Sequence, residues 1–228
     1  TLKGGEVSVS ARQSSQFASG LLMAAPFCKS PAVVRIDDID PQESYIDITM
    51  GIMRFFGAEI TYASNEEGTR LSVEVAPGPY RAADLRVEAD LNSALNFLIL
   101  PLIVGGRATV TNVSGETHQP GNQLLKMFSR LRGIVKIGRQ EVSVASSGKQ
   151  PKGGFEVDMR AMSEMALSMG VLAVFADEPI AMTNLAHIRH HGTDRLAAIS
   201  EILGAAGVKT EQGDDWVRVF PTPRDQLK

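Results

Sequence analysis

Three stretches of the chain, residues 5–76, 84–147 and 154–222, repeat one plan: strand, helix, strand, helix, strand, strand. A repeat of roughly 70–80 residues means one supersecondary unit used several times, and it limits the fold more than any single motif. The first unit predicts strands at Glu6–Ala11, Ala32–Asp37, Ala58–Ala63 and Arg70–Val75, with helices at Ser14–Ala25 and Glu43–Gly57. The second predicts strands at Asp84–Glu88, Arg107–Val113, Ile134–Ile137 and Glu141–Ala145, with helices at Leu91–Val104 and Gly121–Gly133. The third predicts strands at Gly154–Asp158, Pro179–Asn184, Val208–Gln212 and Trp216–Pro221, with helices at Ser163–Ala176 and Asp194–Gly207.

The strands rest on alternation. Glu6-Val7-Ser8-Val9-Ser10 and Glu141-Val142-Ser143-Val144 place valine on one face and polar groups on the other. The helices rest on a 3.6-residue period, as in the stripe Leu196, Ile199, Ile202 and Leu203. Gly57, Gly133 and Gly207 close the second helix of each unit, where a left-handed cap is expected. The fold class is therefore α/β (α+β), built from three β-α-β-α-β-β units. Ala76-Pro77-Gly78-Pro79-Tyr80 is the richest turn cluster and predicts a boundary there, giving domains 1–79 and 80–228.

Composition excludes several classes. A net charge of −3 with no Lys/Arg run argues against a nucleic-acid or acidic-membrane partner. Cys28 is the sole cysteine, so no internal disulfide forms, which fits a reducing cytoplasm. The longest apolar run, Phe97–Val104, falls short of the ~20 residues of a membrane span. No Walker or Rossmann glycine loop is present, so ATP and NAD chemistry lack support. The chain opens on Thr rather than Met, directly before a strand, and reads as a piece of something longer.

Three segments carry candidate chemistry. Gln13-Ser14-Ser15-Gln16-Phe17 lies between a strand and a helix, where free N–H groups and the helix dipole suit a phosphate, or where a serine simply caps. The cradle reading requires that the two serine side chains are not both sealed from solvent. His187-Ile188-Arg189-His190-His191-Gly192-Thr193-Asp194-Arg195 joins a strand to a helix capped by Thr193 or Asp194. Adjacent His190 and His191 point apart, and no H-E-x-x-H helix exists, so an oxyanion ligand fits better than a metal. Glu164, opening a Met-rich helix, is either a dipole complement or, if set against Met and Leu, a general base. Asp90 is its counterpart in the second unit and reads as a cap.

These segments resemble the EPSP synthase (3-phosphoshikimate 1-carboxyvinyltransferase) family. Ser-Ser-Gln-Phe-Ala-Ser-Gly-Leu-Leu-Met (14–23) is similar to its shikimate-phosphate motif, Tyr45-Ile46-Asp47-Ile48-Thr49 to a downstream helix, and Thr193-Asp194-Arg195-Leu196 to its Lys-Glu-Ser/Thr-Asp-Arg signature. The resemblance implies transfer of the enolpyruvyl group of phosphoenolpyruvate to the 5-hydroxyl of shikimate 3-phosphate, with release of phosphate and with no metal or organic cofactor. It implies a cytoplasmic monomer whose partners are these two small substrates. Ser14, Ser15 and Gln16 would hold shikimate 3-phosphate. Glu164 would contact it too and accept the proton of the attacking hydroxyl. His187 and His191 fall at ligand positions usually Asn and Lys, and Arg195 would grip phosphoenolpyruvate.

Departures accompany the likeness. Gly192 replaces a Glu implicated in proton transfer to the methylene carbon, and Gln42 replaces a phosphate-binding Ser. The family's N-terminal Lys-Ser segment, its Asn-Ala-Gly-Thr-type loop and its C-terminal Asp-His-Arg stretch and late Lys are not found. The expectation is one last unit of the N-terminal domain plus two units of the C-terminal domain, inactive alone. A UDP-N-acetylglucosamine enolpyruvyl transferase relative is the alternative enzyme, although Cys28 does not resemble that enzyme's cysteine loop. A non-catalytic ligand-binding or interaction module with the same fold is the reading from another class.

Overall fold

The computed structural model describes residues 2–12, 14–39, 45–113, 117–119, 121–190 and 192–228. The chain divides into two compact units, Thr1–Val87 and Glu88–Lys228.

The first unit holds β1 (Gly5–Ser10), α1 (Gln16–Ala24), β2 (Ala32–Asp37), α2 (Tyr45–Phe55), β3 (Ile60–Ser64) and β4 (Leu71–Val75). Its sheet runs β1-β2-β4-β3. β1 and β2 are parallel, from Gly5 opposite Ala32 to Ser10 opposite Asp37, and the other two pairings are antiparallel. The parallel pair needs a crossover, which α1 supplies. Ala18 and Leu22 of α1 and Ile46, Met50 and Met53 of α2 bury against Val34, Ile36, Val73 and Val75.

The second unit holds two repeats. The first of these has α3 (Leu91–Leu98), α4 (Leu100–Val104), β5 (Arg107–Thr111), α5 (Gly121–Arg130), β6 (Ile134–Ile137) and β7 (Glu141–Ala145), with sheet order β5-β7-β6. The next has β8 (Phe155–Asp158), α6 (Ala166–Val174), β9 (Ile180–Thr183), α7 (Arg195–Ala205), β10 (Thr210–Gln212) and β11 (Val217–Val219). Its order, β10-β11-β9-β8, is that of the first unit read from the other edge, and β8 and β9 are again parallel. Phe128, Leu91, Leu95, Leu98, Met159 and Met165 are among its fully buried side chains. No helix among the described residues is long and apolar enough to cross a membrane.

Several expectations are corrected. Asp84–Glu88 forms no strand. Its alternation is real, but Leu85 and Val87 are 38% and 74% exposed, and a strand exists by its ladder rather than by its pattern. The predicted helix Leu91–Val104 is broken into α3 and α4, with Pro101 accommodated in the first turn of α4. The predicted helix Ser163–Ala176 starts instead as a 3₁₀ turn, Arg160–Met165, before α6. Met159, Met162 and Met165 are all buried, and the segment is kinked at Met162, whose φ −137° and ψ 32° are not helical, so no single helical period runs through it. Ile202 leaves the predicted α7 stripe and is 52% exposed, while Leu196, Ile199 and Leu203 are buried. Gly57 and Gly207 take left-handed φ values of 87° and 85°, but in the middle repeat that conformation falls on Arg132, φ 67°, one residue before Gly133.

Candidate functional site

The serine segment sits where β1 leaves its sheet and α1 begins. Ser15 occupies the N-cap position but has helical angles, φ −69° and ψ −12°, and makes no side-chain cap bond. The simple serine cap is therefore not what Ser15 provides. Ser14 does a related job, its Oγ accepting from the Gln16 N–H at 3.2 Å. Ser15 is sealed at 2% exposure, Ser14 is half-buried, and Gln16 is exposed. One hydroxyl of the pair thus stays within reach of solvent. Deeper in, Ser19 Oγ meets Thr49 Oγ1 at 2.9 Å, and Thr49 donates to the Tyr45 carbonyl, tying α1 to α2. Gln13 and Gln42 lie outside the described residues.

The second group assembles at the start of α7. The 3₁₀ turn Arg160–Met165 plants its methionines in the core, which turns Glu164 outward. Glu164 Oε2 accepts from Arg195 Nη1 at 2.5 Å, across thirty-one positions of sequence, with both side chains 41% exposed. Glu164 therefore does not open α6, and it is not walled in by Met and Leu as one sequence reading supposed. Beside it, Ser163 Oγ meets His187 Nε2 at 2.9 Å. His187 belongs to a second 3₁₀ turn, Ala186–His190, which Leu185 and Ile188 anchor by complete burial. Glu164, His187 and Arg195 are thus brought together, whereas His191 lies outside the described residues. Ser14, Ser15 and Gln16 belong to the other compact unit.

Asp194 is the N-cap of α7, its Oδ1 accepting from the Ala197 N–H at 2.9 Å and its Oδ2 from Arg189 Nη1 at 2.6 Å. That backbone bond, followed by the Arg189 guanidinium, holds the Asp194 carboxyl below the usual carboxylate range. Asp177 is lowered in the same way, first by the Gly153 N–H and then by Arg132. Both groups are depressed in the folded state, so between their folded and unfolded pKa values the unfolded chain binds more protons. Their stabilisation is complete above an unfolded value near ~3.9 and is lost as pH falls through the folded values. Urea midpoints recorded from about pH 2 to about pH 6 should fall on the acid side, and Asp177→Asn with Asp194→Asn should flatten that slope. An unchanged slope in the double variant would locate the acid sensitivity elsewhere.

Gly192 is exposed with φ 78°, and a Cβ there would meet open space. The constraint is conformational, because a side chain at positive φ is strained. A glutamate at this position would carry that strain.

Sequence reading missed Ser163 and Arg189 as members of the site. Ser163 gave no signal beyond adjacency to Glu164. Arg189 lay inside the quoted segment, but the main-chain carbonyls it binds have no sequence signature. Among the described residues no group of three His, Cys, Asp or Glu could hold a metal ion. A cavity of about 740 Å³ opens at the far, C-terminal end of α6, between Leu102, Lys149, Val174, Phe175, Pro223 and Arg224. None of the predicted site residues lines it.

Comparison with known proteins gives this geometry a family. The model of EPSP synthase (3-phosphoshikimate 1-carboxyvinyltransferase) matches residues 1–228. The chain is 35% identical over 227 residues to 3-phosphoshikimate 1-carboxyvinyltransferase 2 of Halalkalibacterium halodurans, covering 99% of itself and 50% of that protein. It is 28% identical to the 3-phosphoshikimate 1-carboxyvinyltransferase of Tropheryma whipplei, covering 97% of itself and 48% of that protein. In fold it is similar to the EPSP synthase of Acinetobacter baumannii, with a TM-score of 0.73 at 17% identity, over 98% of this chain and 50% of that one. It is also similar to the enolpyruvyl transferase NikO of Streptomyces tendae, with a TM-score of 0.66 at 15% identity, over 94% and 51%. The chain spans about half the length of the curated relatives it matches. With repeat plan, sheet order and a family match over residues 1–228 in agreement, the chain belongs to the EPSP synthase family of enolpyruvyl transferases.

Proposed function

We propose that this chain is an internal part of a 3-phosphoshikimate 1-carboxyvinyltransferase, acting in aromatic amino acid biosynthesis, and that it turns over nothing by itself. The meeting of Glu164 with Arg195 carries the reading: the two residues at the family's base and phosphoenolpyruvate positions face each other at the start of α7. In this reading Ser14, Ser15 and Gln16 hold shikimate 3-phosphate, with His187 and His191 as further ligands. Glu164 takes the proton of the 5-hydroxyl as that oxygen attacks, and Arg195 offers phosphoenolpyruvate two parallel N–H donors. Its pairing with Glu164 keeps the guanidinium oriented until an anion competes for it. The protein is a cytoplasmic monomer and uses no cofactor. Residues 1–79 are then the last repeat unit of the N-terminal domain and residues 80–228 two repeat units of the C-terminal one.

Gly192 favours a second reading, a module that binds ligand without catalysis. No side chain is available there to deliver a proton to the methylene carbon, and loss of such a group costs about 10²–10⁴-fold in rate.

Calorimetric titration of the purified 228-residue chain with shikimate 3-phosphate, beside an assay for enolpyruvyl transfer, tests the proposal. The expected result is binding without turnover. Measurable product would overturn the inactivity of the isolated chain, and absence of binding would favour a purely structural role.

A further inference from the structure

We propose that Arg189 is the positioning residue for Arg195: its guanidinium fixes the neck of the loop that carries the start of α7. Three of its donors are committed in three directions. Nη1 reaches Asp194 Oδ2 at 2.6 Å, Nη2 reaches the Gly213 carbonyl at 2.6 Å, and Nε reaches the Asp214 carbonyl at 2.7 Å.

Each acceptor is itself held. The turn between β10 and β11 is closed by the Gly213 N–H on the Trp216 carbonyl at 2.9 Å. The same turn is fastened to the 3₁₀ segment by the Leu185 N–H on the Asp215 carbonyl at 2.8 Å. Asp194 divides its two oxygens between Arg189 and the Ala197 N–H. Arg189 thus connects a rigid turn to the helix cap, and the residue after that cap is Arg195, whose guanidinium lies on Glu164.

The residue type matters. A planar fork with five N–H donors can serve a carboxylate and two carbonyls at once, whereas an ammonium on a flexible stem can keep the charge on Asp194 without holding both carbonyls. The hydrogen bonds of Arg189 go to Asp194 and to the Gly213 and Asp214 carbonyls, so its effect on Arg195 passes through Asp194 and the first turn of α7.

The ligand part of this inference rests on the reading of Arg195 as a phosphoenolpyruvate contact, and the structural part does not. The test therefore reads both. In the ¹⁵N-labelled 228-residue chain, the Arg195 Nε–H resonance is identified by its loss in Arg195→Lys and followed in Arg189→Gln, Arg189→Lys and Asp194→Asn. Phosphoenolpyruvate is titrated into each variant.

Arg189→Gln is expected to shift that resonance, to speed its hydrogen exchange about tenfold, and to weaken phosphoenolpyruvate binding about tenfold. Arg189→Lys should fall between it and the parent chain. Asp194→Asn keeps a cap acceptor and should act in the same direction, more weakly. A folded Arg189→Gln with an unmoved Arg195 resonance overturns the proposal, whatever happens to binding. Should that variant not fold, an unmoved resonance in Asp194→Asn does the same. A resonance that responds in a chain that never binds phosphoenolpyruvate upholds Arg189 and removes the ligand reading of Arg195.

Discussion

Replacing Gly153 with alanine is expected to destabilise the second unit by about 3 kcal/mol, at the upper end of what overpacking costs. The reason is space. A Cβ at Gly153 would lie 1.8 Å from the Glu178 carbonyl oxygen, 2.5 Å from its carbon and 2.9 Å from the Glu178 nitrogen. All three atoms are main chain, so no side-chain rotation relieves the overlap. Nor can the strands of chain part easily. The Asp177 N–H is bonded to the Pro151 carbonyl at 2.9 Å, the Gly153 N–H to Asp177 Oδ1 at 2.6 Å, and the Gly154 N–H to the Pro179 carbonyl at 2.9 Å. Separation by an ångström would stretch all of them. Urea unfolding should show a lower midpoint with an unchanged slope. Gly51→Ala is the matched control, because Gly51 lies within α2 with nothing within 4 Å of an added Cβ. That change should add about 0.5–1 kcal/mol by limiting the unfolded chain. A Gly153→Ala protein with the parent midpoint would refute the close approach.

The second large effect concerns ligand. If Ser14 and Ser15 grip the phosphate of shikimate 3-phosphate, Ser14→Ala with Ser15→Ala should weaken its binding about a hundredfold. The estimate takes each hydrogen bond to a charged group as about 1.5–3 kcal/mol and allows for the partial replacement of lost donors by water. The single changes should be unequal. Ser14 is half-buried and already placed at the open end of α1, so its hydroxyl is available. Ser15 is sealed, so its contribution requires movement of the chain around it. Ser14→Ala should therefore account for the greater part of the loss. The melting curve of Ser14→Ala should shift little, because the Gln16 N–H freed by that change lies at an exposed helix start, where water replaces Ser14. Equal affinity in the double variant would remove the serines from the phosphate site while leaving family membership untouched.

The repeat was legible because each unit closes its own sheet, so alternation and period were both local. β1 to β4 and β8 to β11 follow the predicted order, and each predicted edge moves by only a few residues. Failures came where local pattern and tertiary demand part company. Asp84–Glu88 alternates properly but forms no strand among the described residues. The segment before α6 is kinked at Met162, a break that burying Met159, Met162 and Met165 accompanies and that apolar spacing alone does not announce. Arg132 takes the left-handed position that the neighbouring Gly133 was expected to fill. There its guanidinium binds Asp177 at 2.8 Å and the Gln150 carbonyl at 3.0 Å, an anchoring that no glycine supplies. At the site, residue types and order pointed to Glu164 and Arg195 separately. Only the backbone path through the two 3₁₀ turns shows that they meet.

The sheet order has a consequence for synthesis. Every ladder of the first sheet joins residues between Gly5 and Val75. Nothing translated later is needed to complete it. A nascent chain can therefore finish that layer before the following repeats have been made, which shortens the time its strands stay unpaired and open to other chains.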